Sequence, residues 1–177
     1  MKAFDEINVR AGLKWVDACK LESRLLTGDN EIVATLAWKN RWGSQATGEA
    51  SDGKWNLKRA GFIHAKITIS QAESSTNIGE LSMTSGKQGV LTFSDGLIYY
   101  FTWSKEGLTL ADARREKILL LRPENRNEAF VQIERSGDSE KPLSLLTILS
   151  WYVGLISYYE NDTSFTGAMT AIMGASV

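Results

Sequence analysis

The chain of 177 residues holds one cysteine, one histidine and two prolines, and it carries almost no net charge. One cysteine excludes an internal disulfide, and a single histidine beside it cannot complete a zinc site. A formal net charge of -1 lacks the basic excess that displaces counterions from phosphates, so no nucleic-acid partner is expected. The first ten residues include Lys2, Asp5, Glu6 and Arg10 and form no apolar signal-peptide core, which makes the cytoplasm the expected compartment. No phosphate-cradling glycine motif, nucleophile elbow, HExxH or CxxC occurs. No catalytic residue, metal or cofactor is therefore expected.

What is present is ordinary globular material in an uneven arrangement. Hydrophobic residues make up 43% of the chain and charged residues 23%, enough for one domain with a core of its own. All the lysines and arginines precede Pro142, and beyond it the acids are Glu160 and Asp162. The chain reads as a single domain, 1–177, with three parts. These are a strand-rich body at 1–141, an apolar helix at 142–159, and an uncharged, small-residue tail at 160–177 that could form a second short helix.

Alternation dominates the body. Ile32, Ala34, Leu36 and Trp38 fall on one face of a strand, with Val33, Thr35, Ala37 and Lys39 on the other. The run 62–70 sets Ile63, Ala65, Ile67 and Ile69 opposite Phe62, His64, Lys66 and Thr68. Ser94-Asp95-Gly96 breaks 90–103 into a hairpin, and Ser51-Asp52-Gly53 punctuates the chain before the strand at 54–58. Further strands are expected at 13–20, 24–27, 45–49, 78–83, 108–111, 118–122 and 129–134. Pro123 and Pro142 each fall near an expected boundary. Ten to twelve short strands at this spacing fit a meander forming a sandwich or a barrel.

The segment 142–159 is free of charge, and Pro142 suits a helix start, where its missing N–H costs nothing. Ser144, Thr147, Ser150, Gly154 and Ser157 make a ribbon of small residues along one side. A helix apolar nearly all round must be enclosed by protein or by lipid. At 1.5 Å per residue it spans about 27 Å, close to a hydrocarbon core of about 30 Å. Length alone leaves both a buried helix and a transmembrane anchor open.

Several short motifs recur in a suggestive order: Thr35-Leu36-Ala37-Trp38-Lys39, Ser51-Asp52-Gly53-Lys54-Trp55 with Gly61-Phe62, Leu91-Thr92-Phe93-Ser94-Asp95-Gly96, Leu119-Leu120-Leu121-Arg122-Pro123, and the apolar run 145–159 with its Leu-Ser-Trp-Tyr. Together they resemble the tubby-like group of folds, which includes the plant LURP-one-related proteins and the phospholipid scramblases. The resemblance implies a mainly β chain: a closed antiparallel barrel of about twelve strands enclosing the hydrophobic C-terminal helix. It also implies a non-enzymatic binding or scaffold protein whose partner is anionic phospholipid or a membrane surface. No tubby phosphoinositide-binding motif aligns here, and the scramblase-type calcium pattern Asp-x-Asp-x-Asp-Gly is missing.

Individual residues add few sites. His64 is the one side chain with an ordinary pKa near neutrality, but nothing near it in sequence completes a triad, so a plain strand position is expected. Cys19 reads as a small core residue, and Asp52 and Asp95 as turn residues of Asp-Gly dipeptides. Asp112 could pair with them for acid–base work only if loops brought all three together. Trp38, Trp55 and Trp103 are expected in the core. Trp42 follows Lys39-Asn40-Arg41 and precedes Gly43, an aromatic among cations that suits a membrane interface or a barrel rim. Lys39, Arg41, Trp42, Lys54 and Lys58 form the candidate anion-binding set, joined by Arg59 if their strands pair.

Overall fold

Period-two alternation over short segments gives each strand one greasy face, and twelve such strands bury those faces by curling into a closed wall. The computed structural model describes residues 1–7, 12–19, 21–39, 44–61, 66–85, 88–134 and 140–161. After a short 3-10 turn at Phe4–Glu6 the strands run β1 Leu13–Cys19, β2 Glu22–Thr27, β3 Ile32–Trp38, β4 Gln45–Ala50, β5 Gly53–Ala60 and β6 Lys66–Gln71. They continue with β7 Asn77–Ser85, β8 Gln88–Phe93, β9 Ile98–Ser104, β10 Gly107–Ala111, β11 Lys117–Asn125 and β12 Glu128–Ile133, followed by the helix α1 Leu143–Asn161. Every strand pairs antiparallel with its sequence neighbours, and β1 closes the ring on β12 through Leu13 opposite Val131 and Trp15 opposite Ala129. The protein is a closed twelve-stranded antiparallel barrel.

The helix lies inside it. Every residue from Ser144 to Leu155 is buried, on all sides of the helix, and α1 packs against β3, β4, β5, β10 and β11. Burial all round is what a helix without a polar face requires. Among the described residues no helix is long and apolar enough to cross a membrane.

Two devices let a helix fit within the wall. The inward row of β4 is Ala46, Gly48 and Ala50, and a Cβ on Gly48 would run into Cγ2 of Ile148 well inside van der Waals contact. Glycine at this position is a matter of space. The second device is local satisfaction of hydroxyls, since an unbonded hydroxyl in an apolar interior is costly. Thr147 Oγ1 donates to the Leu143 carbonyl at 2.7 Å and Ser150 Oγ to the Leu146 carbonyl at 2.8 Å. Thr147 and Ser150 thus meet their own hydrogen-bonding needs one turn back along the helix.

At its start the helix is tied to two turns. Ser144 Oγ donates to Asp52 Oδ2 at 2.7 Å, and Lys141 pairs with Asp95 while lying 4.7 Å from the centre of the Phe93 ring. Asp52→Ala leaves the buried Ser144 hydroxyl without its acceptor. It should cost about 1–2 kcal/mol, read as a lower urea midpoint at unchanged m, with Asp52→Asn costing less because it keeps an acceptor.

Four expectations need correction or qualification. Pro123 does not end a strand: β11 runs through it, opposite Ala129, with a register shift between Pro123 and Asn125. A bulge tolerates the missing N–H. Cys19 is exposed at the end of β1, because the register shift between Asp17 and Cys19 takes it off the inward row. Trp38 and Trp103 pack against the core but are only half-buried, unlike Trp55, since both lie toward the mouth of the barrel. The first half of the strand expected at 62–70, with His64, and the tail at 162–177 lie outside the described residues.

Candidate functional site

An antiparallel meander sorts its connections by parity. The links β1–β2, β3–β4, β5–β6, β7–β8, β9–β10 and β11–β12 leave from one end of the barrel, which we term the exit end because α1 finishes there. The other links, and the approach to α1, lie at the opposite, entrance end.

Lys39 and Lys58 belong together near the exit end. The Lys39 amide donates to the Gln45 carbonyl at 3.1 Å, and Gln45 is the cross-strand partner of Lys58. Two inter-strand steps separate the two lysines, about 10 Å along the wall. Both side chains are exposed. Lys54 does not join them. It is the second residue of β5, at the entrance end and about 13 Å from Lys58 along the strand, and its ammonium pairs with Glu49 at 2.8 Å. Arg41 and Trp42 occupy the β3–β4 connection and lie outside the described residues.

Arg59 takes a different place from that expected. Its neighbours Trp55 and Leu57 point inward, and the same parity carries Arg59 to the inner row at the barrel mouth. The Arg59 backbone N–H donates to the Ser44 carbonyl at 2.7 Å, and Tyr152 Oη of α1 donates to the same oxygen at 2.8 Å. The Tyr152 ring stacks on Trp38 with centroids 4.9 Å apart. Burial drives the Tyr152 phenol far above the ordinary tyrosine range, against the opposing pull of the nearby Arg59 charge. At the same mouth Trp103 Nε1 donates to Ser157 Oγ at 3.2 Å. This polar collar fixes where the helix leaves the barrel. It escapes a linear reading because Ser44, Arg59 and Tyr152 meet only through tertiary packing.

The remaining candidates have structural occupations. Asp112 Oδ1 accepts from the amides of Arg114 and Glu116 at 2.9 Å each, organising the β10–β11 turn. Asp95 Oδ1 accepts from the Leu97 amide at 3.3 Å in a turn whose Gly96 has φ 91°, and Lys141 holds the Asp95 carboxyl below its usual range. Asp52 holds the helix start. Among the described residues no group of three or more His, Cys, Asp and Glu side chains is placed to bind a metal ion.

Charge is divided between the ends in a way that no single motif announces. Among the described residues, the exit-end connections contain Lys39, Lys105 and Arg126 against Glu106. The described entrance-end connections are rich in acid, with Asp29, Glu31, Asp52, Glu73, Asp95, Asp112, Glu116, Glu134 and Glu140 against Arg114, Arg115 and Lys141. On the barrel wall many charges pair off, as in Lys66 with Glu80 at 2.9 Å and Lys14 with Glu128 at 3.1 Å. The chain matches no protein-family profile, no curated protein and no solved structure.

Proposed function

We propose that this chain is a non-enzymatic binding barrel of the tubby-like type that associates with anionic phospholipid surfaces in the cytoplasm. The observation that carries this reading is the filling of the barrel. An apolar helix and the inward side chains of the strands occupy the interior, so recognition falls to the connections and the outer wall. There, exposed Lys39 and Lys58 lie two inter-strand steps apart at the same rim, and the β3–β4 connection contains Arg41 and Trp42 in sequence. Cations beside an interfacial aromatic suit a headgroup layer, where each basic residue close to an anionic surface contributes about 1 kcal/mol.

Flotation with phosphatidylcholine vesicles, with and without phosphatidylserine, tests the reading. The protein should float with the anionic vesicles at low ionic strength and dissociate as salt is added, since exposed charges are screened. Replacing Lys39 and Lys58 together by alanine should weaken partitioning on the order of tenfold or more. Lys54→Ala, at the other end and paired with Glu49, should leave it unchanged. Failure to float at low ionic strength removes the proposal.

A further inference from the structure

Resting on that reading, we infer that the protein docks on an anionic phospholipid bilayer end-on, with the exit end of the barrel against the surface and the acidic entrance end turned away. Three described cations, Lys39, Lys105 and Arg126, sit in connections that leave the same rim from β3, β9 and β11, and Glu106 is the acid among those connections. The connections at the far rim place Asp29, Glu73 and Glu116, all exposed, where a surface approaching from that side would meet them.

The geometry makes this division an orienting device. Strands of five to nine residues separate the rims by roughly 15–30 Å, whereas the field of a charged membrane decays over about 8 Å at physiological salt. Only the rim next to the bilayer feels it. With the exit end down, Lys39, Lys105 and Arg126 are in the field beside Glu106, and the acids of the entrance connections are outside it. Glu22, Glu124 and Glu128 of the exit rim are paired with Arg24 and Lys14. With the barrel inverted, the acids replace them and are repelled. Side-on docking presents wall residues of both signs that are already paired with one another, as Lys66 is with Glu80. The end-on pose is the one that keeps the acids of the entrance connections out of the field.

Site-specific fluorophores read this directly. In a Cys19→Ser background, Asn127→Cys labels the exit end and Ser74→Cys the entrance end; both positions are exposed turns. Each labelled protein is mixed with phosphatidylcholine–phosphatidylserine vesicles carrying a headgroup quencher. The expected result is strong quenching at position 127 and little at position 74. In the same assay Lys105→Glu combined with Arg126→Glu should reduce vesicle binding about tenfold or more. Binding with quenching at position 74, at both positions or at neither overturns the orientation while leaving lipid association standing. Absence of binding in flotation of the unlabelled protein removes the lipid reading and the orientation with it.

Discussion

Trp151→Ala should lower the stability by about 3–5 kcal/mol, the range for emptying a large aromatic from a core. At this chain length that corresponds to a fall in Tm of roughly 6–20 °C. Trp151 is 1% exposed at the middle of α1, and its ring stacks on Trp15 of β1 with centroids 6.0 Å apart and planes within 10°. Truncation therefore opens a void between the helix and the wall and strips Trp15 of its ring partner. Trp151→Phe should cost much less, about 1–2 kcal/mol. The Trp151 indole N–H is buried without an acceptor among the described residues, and such a donor carries a penalty of about 1–3 kcal/mol that phenylalanine removes. The phenyl ring keeps much of the stack. Urea melts of the three proteins, with near-UV circular dichroism to follow the coupled indoles, measure both effects. A Trp151→Ala protein within 0.5 kcal/mol of the parent, the range of an ordinary surface change, would falsify the placement of this helix inside the barrel.

The same residues show how far a linear reading of the chain reaches. Strands were legible wherever inward and outward positions alternate cleanly, as in Gln45–Ala50 and Gly53–Ala60, because a two-residue period survives without knowledge of neighbours. The helix was legible from its uncharged run and from Pro142. Closure of the barrel was not written in any one segment. The pairing of Leu13–Val16 with Glu128–Val131 joins strands more than a hundred residues apart, and only the resemblance to a known fold anticipated it. Pro123 and Cys19 were misjudged for one reason: bulges displace both from the regular register, and a bulge leaves little trace in composition. Lys39 and Lys58 come to the same rim because β3 and β5 flank β4. Lys54 was grouped with them by closeness in sequence, yet an extended strand carries it to the opposite rim. Arg59 was grouped likewise, although parity turns it inward. The division of charge between the rims was present in the sequence throughout, but it emerges only when the connections are sorted alternately, and that sorting presupposes the meander.

Gly48→Ala should destabilise the protein by about 1–3 kcal/mol, and Ile148→Ala should rescue part of that loss. The added methyl at position 48 lies against Cγ2 of Ile148, with Cδ1 at 3.3 Å, so either the helix must shift or β4 must bow outward. Neither is easy in a closed wall, where each strand is held on both edges. Ile148→Ala alone should cost about 2–5 kcal/mol by leaving a cavity. In the double variant the new methyl projects into that cavity, and the old Ile148 Cβ, at 3.5 Å, makes ordinary contact with it. The two changes should therefore be non-additive, with the double variant more stable than the sum of the singles by about 0.5–3 kcal/mol. This coupling reports one thing that neither single variant can: that the fourth position of β4 and the sixth residue of α1 touch, which fixes the helix in depth and in rotation within the barrel. Strict additivity would mean that the helix sits at another register, and the polar collar of Ser44, Arg59 and Tyr152 at the exit end would then lose its anchor.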